Sequence, residues 1–307
     1  MGVVGRPPIE DGVNVTRNLT FRPVLGLVSA VFLAASILPA SALMRTEPPL
    51  AVKAKSERLA THLAVYELTL TENSSSSGIS DLRGRIVYEL TGSDCIGYTV
   101  NMRIVNQVAD TDGSGGVTDL RSSAWESADG TKFRFNSTEY LDSELNETTS
   151  GSASRNDAKA VSVSLEKPAR KGFAIERDVS FPLEHLLEII RAAQDGHRIV
   201  ERRVYDGSQS GDKIFKTTTI IGMGDRSKQT PGVTGATELL EAAAWPVSIA
   251  YYEENGAANE GEQTPSYQLS FRLFDNGVSD RLVLDYGNFT LRGELKSIKH
   301  IAPVNCE

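Results

Sequence analysis

The sequence predicts a mainly β protein: a curled, mostly antiparallel sheet, a β-spiral or open barrel, with one principal amphipathic α-helix. Period-two alternation of apolar and polar residues recurs in about a dozen segments between His62 and Lys299, as expected for antiparallel strands with one dry and one wet face. Only one segment carries a strong helical period instead. A single helix cannot cover that many dry faces. The sheet must therefore curl on itself, with the helix filling its interior or plugging an opening.

The first residues stand outside this pattern. Arg17 and Arg22 precede an apolar run from Val24 to Leu38, followed by Ala40-Ser41-Ala42. A basic segment, a short apolar run and a small-x-small site describe a secretory signal peptide, residues 1–42, cleaved after Ala42. A membrane anchor is the alternative, but the run is shorter than the ~20 residues a spanning helix needs, and Pro39 ends it. Cleavage leaves 43–307, which is 265 residues at net charge −9, because the leader removes three basic and two acidic residues. That length suits a single β domain in the periplasm, with no stable membrane span. An acidic chain without a Lys/Arg block is a poor nucleic-acid binder.

The strands follow in order. Segments 62–70 and 84–90 come first. Then Tyr98, Val100, Met102 and Ile104 alternate with Thr99, Asn101 and Arg103. Next comes DTDGSGGVTDLR, Asp110 to Arg121, which has oxygen-bearing residues, a glycine and an apolar residue where a calcium-binding EF-hand loop needs them. Its last position is Arg121, a cation in place of the bidentate glutamate. Its neighbours read as strands, so it is a hairpin connection rather than a calcium loop. Strands at 117–127, 132–139 and 161–165 follow.

FPLEHLLEIIRAAQDG then breaks the alternation. Leu183, Leu186, Leu187, Ile190 and Ala193 recur at helical spacing, with Pro182 in the first turn and Gly196 as a stop. Strands resume at 198–205, 213–221, 246–252, 267–273, 280–286 and 289–296. A second short helix is expected at Thr237 to Ala244. The stretches 73–80, 206–212, 224–236 and 254–265 read as polar loops.

Cys95 and Cys306 are the only cysteines. An even count in an exported chain reads as a disulfide, against two free thiols or a metal pair. Such a bridge would close an edge, on the expectation that the first and last strands lack full partners. Chemistry is otherwise hard to find. GSQSG, Gly207 to Gly211, has Gln209 where a hydrolase elbow needs serine. His62, His185, His197 and His300 have no metal-ligand spacing, and Gly222-Met223-Gly224 lacks the third glycine of a dinucleotide loop. No carboxylate pair stands out from the wet strand faces. The residues point to no catalytic group, metal or cofactor, and they identify no ligand site.

Several stretches together resemble the EipB family of alphaproteobacterial envelope-integrity proteins. They include HLAVYELTL, GRIVYELTGSDCIGYTV, DLRSSAWESADGTKFRF, FPLEHLLEIIRAAQDG, RRVYDGSQSGDKIFKT, WPVSIAYY and SYQLSFRLFDNGVSDRLVLDYGNFTLRGEL, ahead of the terminal Cys306. The resemblance implies a spiral-like antiparallel sheet, a disulfide at Cys95 and Cys306, and a periplasmic role in maintaining the envelope without established catalytic residues. The expected function is non-enzymatic binding of another envelope component, a periplasmic or outer-membrane protein. The alternatives are a carrier of lipid or lipoprotein acyl chains in the concave face and, less favoured, a hydrolase of envelope polymers.

Overall fold

Antiparallel pairing runs through fourteen described strands of a computed structural model. It describes residues 59–306, apart from 157–159, 177, 226–232, 241 and 255–263. The expected leader, 1–42, and parts of the loops expected at 224–236 and 254–265 lie outside the described residues. The first half of the sheet holds β1 (His62–Asn73), β2 (Ile79–Ser93), β3 (Gly97–Asp110), β4 (Gly115–Glu126), β5 (Lys132–Leu141), β6 (Glu144–Arg155), β7 (Val161–Lys167) and β8 (Lys171–Ile175). Helix α1 (Pro182–Gln194) crosses to the second half. That half holds β9 (Ile199–Val204), β10 (Phe215–Ile221), β11 (Ala244–Glu253), β12 (Tyr267–Phe274), β13 (Ser279–Asp285) and β14 (Phe289–His300).

The order across the sheet is β8-β7-β6-β5-β4-β3-β2-β1-β14-β13-β12-β11-β10-β9. Each half is a meander, and β1 and β14 join them in register from His62 opposite His300 to Asn73 opposite Phe289. This corrects one expectation. The first and last strands are central, and the edges are β8 and β9. Ser180, on the approach to α1, extends the β9 edge: its N–H donates to Arg203 O at 2.8 Å, and Tyr205 N–H donates to Ser180 O at 3.0 Å.

Curling shows in the packing. Ile175 from edge β8 and Tyr205, next after edge β9, share one buried cluster with Phe133, Phe135, Val163 and Phe181. The two ends of the sheet thus meet through side chains while remaining unclosed. Helix α1 lies between the halves. Ile189, Ile190 and Ala193 pack with Leu90 of β2, Val200 of β9, Val247 of β11 and Leu273 of β12. Each large aliphatic side chain so buried contributes roughly 1.5–3 kcal/mol. Because strands surround it, α1 buries His185 and Ile189 together with Leu183, Ile190 and Ala193, while Leu186 and Leu187 of the expected stripe are half-buried.

Two strands were not expected from alternation. β6 reads ELNETTSGSASR, with no apolar period, and β8 has five residues. The expected helix at 237–244 is a 3₁₀ turn, Ala236–Leu240, and Ala244 already begins β11. Such a short segment gains more by burying Leu239 in the core and pairing early as a strand than from one extra helical turn. The hairpin reading of DTDGSGGVTDLR agrees with the turn between β3 and β4. Ser114 donates to Asp112 Oδ1 at 2.6 Å and to Asp110 Oδ2 at 3.1 Å. Arg121 lies along β4, paired to Asp119 at 2.7 Å.

Candidate functional site

A cavity of about 470 Å³ opens on the concave face, between β3, β4, β5, the start of α1 and the loop Asp206–Gln209. Strand register explains why it is there. Inward side chains form cross-strand rows. In one, Ile104 faces Leu120, Leu120 faces Glu139, and Glu139 faces Glu147. In the next, Met102 faces Ser122, Ser122 faces Ser137, and Ser137 faces Thr149. In a third, Val100 faces Ala124, Ala124 faces Phe135, and Phe135 faces Gly151. Ser122, Ala124 and Ser137 are too small to reach α1, and the unfilled space is the cavity. Tyr88, Val100, Met102, Leu120, Leu183 and Leu186 make its apolar floor.

The fourth row ends β4 with Glu126, which is 6% exposed. It faces the N-terminus of α1, where the N-cap, Phe181, has no side-chain acceptor to offer. A helix start leaves N–H groups without intrahelical partners. Glu126 accepts two of them, from Leu183 at 2.7 Å and Glu184 at 3.2 Å. Glu184 reaches back to accept the Phe181 N–H at 3.2 Å. Arg155 of β6 holds Glu184 with two bonds of 3.0 and 2.8 Å and packs over the Phe181 ring. Burial pushes the Glu126 carboxyl up to about 7, although the two backbone donors pull it back. The cap is therefore supplied by a strand more than fifty residues away in sequence.

The opposite wall is the GSQSG segment. Asp206 accepts the Ser208 N–H at 2.9 Å, and burial raises its carboxyl above the usual range. Thr149 donates to Gln209 O, and Tyr205 donates to Gly211 O at 2.7 Å. Gly207, at φ +67°, sits on the Phe135 ring so closely that a Cβ there would lie 2.5 Å from ring carbons. This tight turn places the Asp206 carboxylate at the cavity. No carboxylate pair stands out in the sequence, yet Glu126, Glu139, Glu147 and Asp206 all line one cavity. Their separation in sequence hides this. The available signal was the run of small residues at alternate positions of β4.

A larger concavity of about 920 Å³ lies on the outer face of β1–β3. It is open to solvent and walled by side chains already paired with each other, such as Arg85 with Glu67 at 3.5 Å. The concave-face cavity is the better candidate, being apolar at its floor and polar at its rim.

Two of the four histidines serve packing, while His197 is exposed and His300 half-buried. His62 is buried at the start of β1, with Nδ1 2.6 Å from Ala60 O. His185 Nε2 lies 3.3 Å from the Thr217 hydroxyl, and burial lowers its pKa to about 4.

The chain matches the EipB-like family over residues 53–302. It is 35% identical over 246 residues to the cell envelope integrity protein EipB of Brucella abortus (strain 2308), covering 79% of this chain and 84% of that protein. This chain belongs to the EipB-like family. A crystal structure of a beta-barrel-like protein of a domain of unknown function from Brucella abortus superposes with a TM-score of 0.72 at 33% identity. The match covers 80% of this chain and 99% of that one.

In this EipB-like chain Cys95 and Cys306 are bonded, with Cα atoms 5.9 Å apart. Asp94 lies beside the two sulfurs, the sole group with metal-site spacing among the described residues. Sulfurs bonded to each other are not thiolate ligands, so that group offers no metal site. Among the described residues, no helix is long and apolar enough to cross a membrane.

Proposed function

We propose that this EipB-like chain is an exported, periplasmic, non-enzymatic protein. In this reading it supports envelope integrity by receiving the apolar part of an envelope component in its concave cavity. The cavity carries the reading, because its volume falls within the roughly 300–1,000 Å³ of ligand sites and its floor is apolar. Export is supported by the leader-like residues Met1–Ala42 and by a disulfide suited to an oxidising compartment. The role in the envelope is supported by the name of the Brucella relative. The buried carboxylate at the site, Glu126, is engaged as a helix cap, and His185 as a core group, which speaks against an acid–base pair for hydrolysis. The occupant is a lipid or the acyl chain of a lipoprotein.

The test fills the cavity. Ala124→Phe with Ser122→Leu adds side-chain volume to two adjacent rows without touching Glu126. Protein recovered from the periplasm should carry an extractable amphiphile, and the filled variant should fold, lose that amphiphile and fail to restore detergent resistance to cells lacking the protein. A folded, ligand-free variant that restores resistance fully would favour binding of a protein partner elsewhere. Turnover of ester or peptidoglycan substrates, lost on changing one polar residue, would overturn the non-enzymatic reading.

A further inference from the structure

Building on the cavity reading above, we infer that the cavity takes amphiphiles with an ammonium head in preference to anionic ones. The head sits between Glu139, Glu147 and Asp206, and the chain lies against the apolar floor. The lining holds four carboxylates and neither lysine nor arginine. One of the four is committed, since Glu126 faces the positive end of the α1 dipole and accepts two of its N–H groups. Arg155, whose charge reaches Glu126, is itself held by Glu184. Three carboxylates remain with no cation in the lining to balance them.

Their placement is unusual for a sheet. Glu139 and Glu147 face each other directly across β5 and β6, an arrangement in which like charges repel. Among the described residues neither has a hydrogen-bond or ion-pair partner. By contrast, the outward carboxylate Asp119 is paired with two arginines, Arg103 and Arg121. The Glu139–Glu147 pair continues the row that starts at Ile104 and Leu120, so one line of side chains passes from apolar floor to acidic rim. An amphiphile laid along it would place its chain on Leu120 and its head between the glutamates. A cation there removes the repulsion, while an anion adds a fourth uncompensated charge.

Calorimetry on the mature chain, with probes kept below micelle-forming concentrations, tests this. Dodecyltrimethylammonium should bind at least tenfold tighter than dodecanoate, and tetramethylammonium, which lacks the chain, should bind far more weakly. Glu139→Gln with Glu147→Gln should cost at least fivefold in affinity for the ammonium probe. Glu147→Gln alone, at an exposed position, provides a variant with little risk to folding. Glu166→Gln with Glu201→Gln removes the same charge from exposed positions away from the cavity and should change affinity less than twofold. Equal binding of the two dodecyl probes would overturn the head preference and leave the apolar cavity reading standing. An equal loss in the distant double variant would overturn it too, by showing attraction to the acidic protein as a whole. Binding of neither dodecyl probe would overturn both readings.

Discussion

Glu126 and His185 show how burial gives two residues opposite pH behaviour. His185 keeps its proton off in the folded protein, with a pKa lowered to about 4 by burial and by the Arg202 charge. The unfolded chain takes up that proton first as pH falls. This contribution is complete above about pH 6.5 and shrinks by roughly 3 kcal/mol on going down to pH 4. Glu126 behaves the other way. Its folded value is raised to about 7, so the folded state holds the proton first, and its contribution is complete below about pH 4.5 and fades as pH rises through 7. In the window between, the two slopes offset each other. Urea midpoints should therefore vary little between pH 4.5 and 6.5. Glu126→Gln should expose the His185 slope as a steady loss on acidification. The amide offers one acceptor oxygen where the carboxylate offers two, so the variant should also lose about 1 kcal/mol at pH 7. A midpoint that falls equally in both proteins would contradict this account.

Among the elements, β12 and β13 are tied by a pair that burial makes one-sided. Arg272 reaches Asp280 with two bonds of 2.8 and 2.5 Å, both side chains are nearly inaccessible, and Arg272 also lies over the Phe274 ring. Removing only the acid takes the bidentate carboxylate away from a buried guanidinium. Asp280→Asn should cost about 3–5 kcal/mol in urea unfolding, whereas Arg272→Met with Asp280→Leu should cost far less. Similar losses in the two variants would show that the pair itself stabilises the fold. Helix α1 depends on its neighbours in the same way. Its N-terminus is capped from β4 and braced from β6, so Glu126→Ala should lose about 1–3 kcal/mol by leaving two buried N–H groups without an acceptor. Amide exchange at Leu183 and Glu184 is the direct readout.

At the scale of the whole molecule, the disulfide ties the tail beyond β14 to the turn between β2 and β3, spanning 211 residues. Because β1 and β14 are already paired along their length, the bridge does not close an open edge. Its effect lies mainly in the unfolded chain, where closing so long a loop is worth about 5 kcal/mol as an upper figure, or roughly 10 °C in melting temperature. Cys95→Ser and Cys306→Ser should lower the melting temperature equally, and the double variant should lose no more than either, since one bond has two ends. Two free thiols in denatured, unreduced protein would rule this out.

Alternation along the chain carries the mainly β class, the curled antiparallel sheet and the single helix, because these follow from local period and from the excess of dry strand faces over helix. It did not carry β6, which reads ELNETTSGSASR with no apolar period and reaches the cavity lining through Glu147. Nor did it carry the centre of the sheet, because pairing of β1 with β14 joins segments more than two hundred residues apart, and local pattern holds no such information. The cavity was hidden for the same reason. Ser122, Ala124 and Ser137 read as a wet face in a strand taken alone, and Glu126, Glu139, Glu147 and Asp206 read as ordinary solvated acids. Only cross-strand register and the return of α1 through the curl turn small residues into space and four distant carboxylates into one lining.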